Sequence, residues 1–145
     1  MRVVSSAFEN GETIPAKYTC EGENISPPLQ FYDLPSTTMS LVVMVDGIDS
    51  SSGTMTHWIV WNIPFVEAIA ENSVPGVEGM NGFNEVSYCG PCPSSGTHSY
   101  YFMVYALDTR LDLRTGTSRN EVENAMRSHI IDKGELMGKF GKSRA

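Results

Sequence analysis

Positive charge is what this chain has least of. Ten Lys and Arg stand against 17 Asp and Glu over 145 residues, a formal net charge of -7. Binding to a phosphate backbone or to an anionic lipid surface needs a basic footprint, so nucleic acid and such surfaces are poor partners for this sequence. The total does not exclude one anion held in a local pocket. Long apolar runs are missing as well. No stretch approaches the ~20 residues of a membrane span, and the opening Met1-Arg2-Val3-Val4-Ser5-Ser6 lacks the apolar region of a signal peptide. These absences lead to the expectation of a cytoplasmic protein with no integral membrane segment. Cysteine is scarce: Cys20, Cys89 and Cys92 are an odd number and too few for a disulfide scaffold.

Catalytic signatures are also lacking. There is no Gly-x-Ser-x-Gly elbow and no glycine-rich phosphate loop before a helix. Two histidines, one aspartate and two cysteines match no zinc spacing. A hydrolase using Ser94 or Ser95 with His98 would rest only on a short separation along a turn, which does not make a triad. None of these patterns is read as a catalytic or metal site, and no cofactor is expected.

What is present is a folded, strand-rich chain. Hydrophobic residues make up 41% and charged residues 19%, too apolar for disorder. The length suits a single domain over 1–145, with no linker, repeat or low-complexity tract. Val3 to Phe8 is a strand candidate, closed by the Asn10-Gly11 turn. Ile14-Pro15 and Tyr18-Thr19-Cys20 read as extended pieces, and Leu29-Gln30-Phe31 alternates like a half-buried strand. Leu41-Val42-Val43-Met44-Val45 is apolar at every position, the pattern of a strand buried on both faces. Asp46 to Thr54 reads as a loop. His57 to Ile63 is a second strong strand, and strict alternation puts His57, Ile59 and Trp61 on one face. Residues 65–84 are irregular. A third strand runs from His98 to Leu107. Helical spacing occurs only late: Ser118-x-x-Glu121 is a capping box, followed by Val122, Ala125, Met126 and Ile130. His129 would then lie near the helix C-terminus. Asp132-x-x-Glu135 could start a second short turn, or Gly134 could end the helix, and Glu135 to Phe140 could return as a strand. Many strands with one or two late helices predict a mainly β antiparallel sandwich.

Two groups of residues could carry chemistry. Cys89-Gly90-Pro91-Cys92 has the spacing of a redox dithiol. Such pairs need a helix to follow, whose N-terminus lowers the thiol pKa. Pro93-Ser94-Ser95-Gly96 and then a strand follow here, so a turn is the stronger reading and a dithiol redox protein the alternative. A disulfide from Cys20 to either Cys89 or Cys92 is left open by the sequence. His57 and His98 each begin an apolar strand beside a Gly/Ser/Thr-rich loop. If those strands are neighbours, both imidazoles open onto one cleft, and Asp49 joins them as an acceptor for a small polar or anionic ligand.

Several further stretches, in order, resemble one family. They are Ser6-Ala7-Phe8 with Gly11 to Cys20, Glu21 to Leu29, Thr56-His57-Trp58-Ile59-Val60-Trp61-Asn62-Ile63-Pro64, Gly90-Pro91-Cys92-Pro93 through Gly96-Thr97-His98-x-Tyr100, Tyr105 to Asp108, and the closing His129-Ile130 with Glu135 to Gly138. Together they resemble the phosphatidylethanolamine-binding proteins, also called Raf kinase inhibitor-like proteins, in their short bacterial and archaeal branch. The resemblance implies a Greek-key β-sandwich with C-terminal helices and a small pocket for phosphate-like anions. It implies binding or inhibition of kinases or proteases rather than catalysis, and a homodimer. Carried over, the pocket residues are Asp49, His57, Gly90, Pro91, His98 and Tyr100, with Gly90-Pro91 as its floor. This chain departs from the family box Asp-Pro-Asp-x-Pro: the first Asp falls on Gly47, and the prolines fall on Ile48 and Ser51. Asp46 is adjacent but one residue out of register, which points it to the other face. Met55 stands where an aromatic is usual, and Ser99 where a basic residue is.

Overall fold

The computed structural model describes residues 1–49 and 53–141. The β-branched and alternating runs form β1 (Arg2–Val4), β2 (Leu29–Tyr32), β3 (Ser40–Asp49), β4 (Gly53–Ile63), β5 (Ala68–Ile69), β6 (Val77–Glu78), β7 (Thr97–Leu107) and β8 (Ile130–Gly141), with the helix α1 (Arg119–Met126) before the last strand. One sheet has the order β1-β2-β5, the other β6-β4-β3-β7-β8. Every strand pairing is antiparallel. In the larger sheet β3, β4 and β6 follow one another, and the chain then returns to lay β7 beside β3. That return is the Greek key.

Two apolar layers hold this arrangement. Val3, Leu29, Phe31 and Ile69 of the small sheet pack with Val43, Val45, Trp58, Val60, Phe102, Val104 and Leu136 of the large one. On the opposite face, Val42, Met44, Ile59, Trp61 and Leu107 pack under Val122 and Met126 of α1. β3 is therefore buried on both faces, as its unbroken apolar run predicts. Each such side chain, fully buried, contributes roughly 1.5–3 kcal/mol. β8 is an edge strand, and the N-terminal segment covers its far half: Gly11 N–H donates to Met137 O (2.7 Å) and Ile14 N–H to Lys139 O (2.8 Å).

The structure corrects several boundaries. β1 stops at Val4. Ala16–Tyr18 is a turn of 3-10 helix instead of an extended piece. The segment read as a loop from Asp46 to Thr54 is largely strand, since β3 runs on to Asp49 and β4 starts at Gly53. There is one C-terminal helix among the described residues. Ser118 caps it, accepting from Glu121 N–H, but it ends at Met126. Ile130 sits in β8, opposite Leu107. Residues 132–135, for which a second helical turn was one option, are strand, and Glu135 to Phe140 form a strand as the other option had it. The ladder to β7 runs the length of 130–141, and a short helical turn cannot match that many backbone hydrogen bonds. His129 accordingly leaves the helix and lies in the turn before β8, where its Nδ1 meets Asp108 Oδ1 at 2.8 Å.

Candidate ligand-binding site

Strict alternation would point His57 away from Trp58. The β3–β4 register prevents this. Val45 lies opposite Trp58 and Asp46 opposite Thr56, which leaves His57 as the extra residue of a β-bulge. The bulge turns the imidazole onto the face of Gly47 and Tyr100, a directly paired couple on β3 and β7. The His57 and Tyr100 rings meet edge to face at 5.3 Å. A Cβ on Gly47 would stand 2.7 Å from His57 Nε2 and 2.9 Å from Tyr100 Cε1. With the two rings so placed, position 47 has no room for the carboxylate that the family box carries there. Asp46 does not replace it. It faces the helix side, in an ion pair with Arg119, which also donates to Thr56 Oγ1 at 3.0 Å.

The turn from Tyr88 to Gly96 holds His57 from behind. Nδ1–H donates to Cys89 O at 2.6 Å, and Cys89 N–H donates back to His57 O at 3.1 Å. A carbonyl only accepts, so the proton sits on Nδ1, and the neutral ring keeps Nε2 as an acceptor. Burial lowers the His57 pKa below its ordinary 6.5, with the Cys89 carbonyl, the Asp46 charge and Gly90 pulling the other way. Burial, helped by the Asp49 charge, pushes the Tyr100 hydroxyl up to about 12. That phenol stays a neutral donor. His98 Nε2 lies 3.7 Å from Asp49 Oδ2, close enough for an ion pair when the imidazole is protonated.

These four side chains line one cavity of about 210 Å³ at the end of β3, β4 and β7. Gly90 and Pro91, expected as its floor, do not line it. They anchor the turn one layer back: Gly90 N–H donates to Asn24 Oδ1 (2.8 Å) and Pro91 O accepts from Cys20 N–H (3.1 Å). A side chain at Gly90 would run into the Tyr18 carbonyl. The wall itself is Cys92, Pro93 and Ser94.

Cys92 is bonded to Cys20. Cys89 is left as a free thiol, and burial pushes its pKa up. The dithiol reading of Cys89 and Cys92 is thereby overturned, since one sulfur is committed elsewhere and the other lacks an activating environment. The sequence reading missed Phe83, which stands at the cavity mouth with its ring edge on His57 at 5.2 Å. It lies in the stretch 65–84, where no periodicity marks it. Ser51 lies outside the described residues. Among the described residues no group of three or more His, Cys, Asp or Glu is placed to hold a metal.

The family model for phosphatidylethanolamine-binding protein matches residues 4–141. The UPF0098 protein PH1269 of Pyrococcus horikoshii is 49% identical over 148 aligned residues, covering 94% of this chain and 75% of that protein. A UPF0098 protein of Chlamydia trachomatis is 42% identical, covering 98% of this chain and 99% of that protein. Among solved structures, the phosphatidylethanolamine-binding protein homologue CT736 of Chlamydia trachomatis superposes with a TM-score of 0.93 at 41% identity, covering 98% of this chain and 97% of that one. YbcL of E. coli, described as a member of the mammalian family, gives 0.89 at 27% identity, with 98% of each chain covered. A match running through both sheets and the bulged histidine strand, with relatives this similar over nearly the whole length, makes the chain a member of the phosphatidylethanolamine-binding protein family.

Proposed function

We propose that this protein binds a small oxyanion, phosphate or a phosphate ester, in the cavity of Asp49, His57, His98 and Tyr100, and that it acts by binding rather than catalysis. The observation that carries this is the bulge at His57, which brings that imidazole round to the Tyr100 face. The cavity thus holds one un-ionised phenol, which donates to oxygen, and two imidazoles, of which His57 donates to a ligand once its Nε2 is protonated. Tyr100 lines the cavity and its hydroxyl stays protonated, so it can donate to a ligand oxygen. Asp49 balances His98 and would accept from a protonated group on the ligand. Regulation of a kinase or protease, a homodimeric state and a cytoplasmic location complete the reading, and these rest on the family resemblance and on the sequence. The cytoplasmic expectation meets the Cys20–Cys92 disulfide, a bond usually kept in oxidising compartments. The cavity is the same in either setting.

The test is an NMR titration with inorganic phosphate. Both the His57 and His98 imidazole resonances are expected to move together and saturate, while His129, whose ring is engaged by Asp108 past the opposite end of β7, stays in place. The reading fails if neither His57 nor His98 shifts at saturating phosphate.

A further inference from the structure

The anion-binding groups occupy only part of the cavity. A tetrahedral oxyanion displaces on the order of three waters at about 30 Å³ each, and the cavity measures about 210 Å³. The rest of its wall includes Met55 and Phe83, each 40% exposed. Large apolar side chains left this open at the mouth of a polar site are the feature to explain.

Phe83 is placed there by a built loop. Asn81 is 3% exposed and both ends of its amide are engaged: Oδ1 accepts from Phe83 N–H (2.8 Å) and Glu85 N–H (3.0 Å), and Nδ2 donates to Ser87 O (2.9 Å). Asn81 N–H also donates to Glu85 O at 2.8 Å, and Asn84 takes a left-handed φ of 61° to close the turn. Gly82 packs so tightly on the Met55 thioether that a side chain there would collide with it. The backbone on both sides of Phe83 is therefore fixed, and its ring meets the His57 ring edge to face.

We infer that Phe83, with Met55, is a specificity wall: the ligand is a phosphate monoester carrying an apolar, preferably aromatic, group on the ester oxygen, with phosphate toward His57, His98 and Tyr100 and the apolar arm against Phe83. The inference rests on the anion reading above. An aromatic pair adds affinity beyond the burial of its area, and with that burial about tenfold is the expected size of the effect.

Calorimetric titrations with inorganic phosphate and with phenyl phosphate, on the wild type and on Phe83→Ala, test it. Phenyl phosphate is expected to bind the wild type about tenfold more tightly than inorganic phosphate. Phe83→Ala is expected to remove most of that advantage, so that the variant binds the two probes within about twofold of each other. Asn81→Ala, which frees the loop without touching the cavity, is expected to lose part of it. Equal affinity of the wild type for the two probes overturns the inference and leaves the anion site standing. An equal loss of both probes in Phe83→Ala also overturns it, because Phe83 would then only support His57. Binding of neither probe to the wild type overturns the anion reading and this inference together.

Discussion

At the scale of single residues, His57 decides the chemistry of the site. Its Nδ1 proton is fixed on the Cys89 carbonyl, so Nε2 donates to a ligand only when the ring is protonated. Burial opposes that protonation. A bound oxyanion favours it, and by linkage phosphate binding takes up a proton. Phosphate affinity is therefore expected to rise as the pH falls below 6.5 towards the lowered pKa of His57. Calorimetry in two buffers of different ionisation enthalpy measures the uptake, and a pH-independent affinity with no uptake would count against a protonated His57 in the complex. Stability without ligand moves the other way. The unfolded imidazole binds a proton near 6.5 and the buried one only at lower pH. The His57 contribution is thus fully present above 6.5 and is lost as the pH falls through the folded pKa. Asp46 shows the same sensitivity to a single position. It is adjacent to Gly47 in sequence, yet strand alternation sends it to Arg119 on the other face. Reading its offset from the sequence gave the right face, because β3 is regular there.

At the scale of elements, the turn between Tyr88 and Gly96 makes the site rigid. It carries the carbonyl that orients His57, the Cys92–Pro93–Ser94 wall, and the disulfide to Cys20 across 72 residues of chain. A crosslink closing a loop of that length typically contributes about 2–4 kcal/mol. Cys92→Ser is expected to lower the unfolding free energy by about that amount in a urea titration, and reductant should lower the wild type equally. A reductant-insensitive midpoint would show that the bond adds little. The elements that sequence reading misplaced failed for definite reasons. Ile130 keeps helical spacing with Met126, and spacing alone cannot weigh a full β ladder against one more helical turn. The Asp46–Thr54 stretch is rich in Gly and Ser and reads as a loop, but pairing with β4 and β7 extends β3 through Asp49.

At the scale of the whole molecule, three layers are stacked: small sheet, large sheet and α1. Two apolar clusters join them, and an ion pair crosses the second boundary. Arg119 of α1 reaches Asp46 on β3, whose side chain is 6% exposed, and also Glu123, whose side chain is 44% exposed. Removing the cation leaves a buried carboxylate unpaired. Arg119→Met is expected to cost on the order of 2–3 kcal/mol, whereas Glu123→Gln, an exposed i,i+4 partner, should cost less than about 0.5 kcal/mol. Urea titrations of the two variants separate them, and equal effects would mean that α1 is held by Val122 and Met126 alone.

The sequence by itself determined the class of the fold and most of its partners in space. The unbroken apolar run 41–45, the alternating strands at 57–63 and 98–107, and the capping box at Ser118 are local patterns, and local patterns set which face is buried. The sequence also brought His57, His98, Tyr100 and Asp49 forward as a group. Only the tertiary structure decided how they meet. A one-residue bulge arises from the register of two strands and leaves no trace in the period of either, yet it reverses the face of His57. The choice of Cys92 over Cys89, and the arrival of Phe83 at the cavity mouth, likewise depend on distances between segments far apart in the chain. Periodicity carries no information about those distances, because it records only the direction of each side chain from its own backbone.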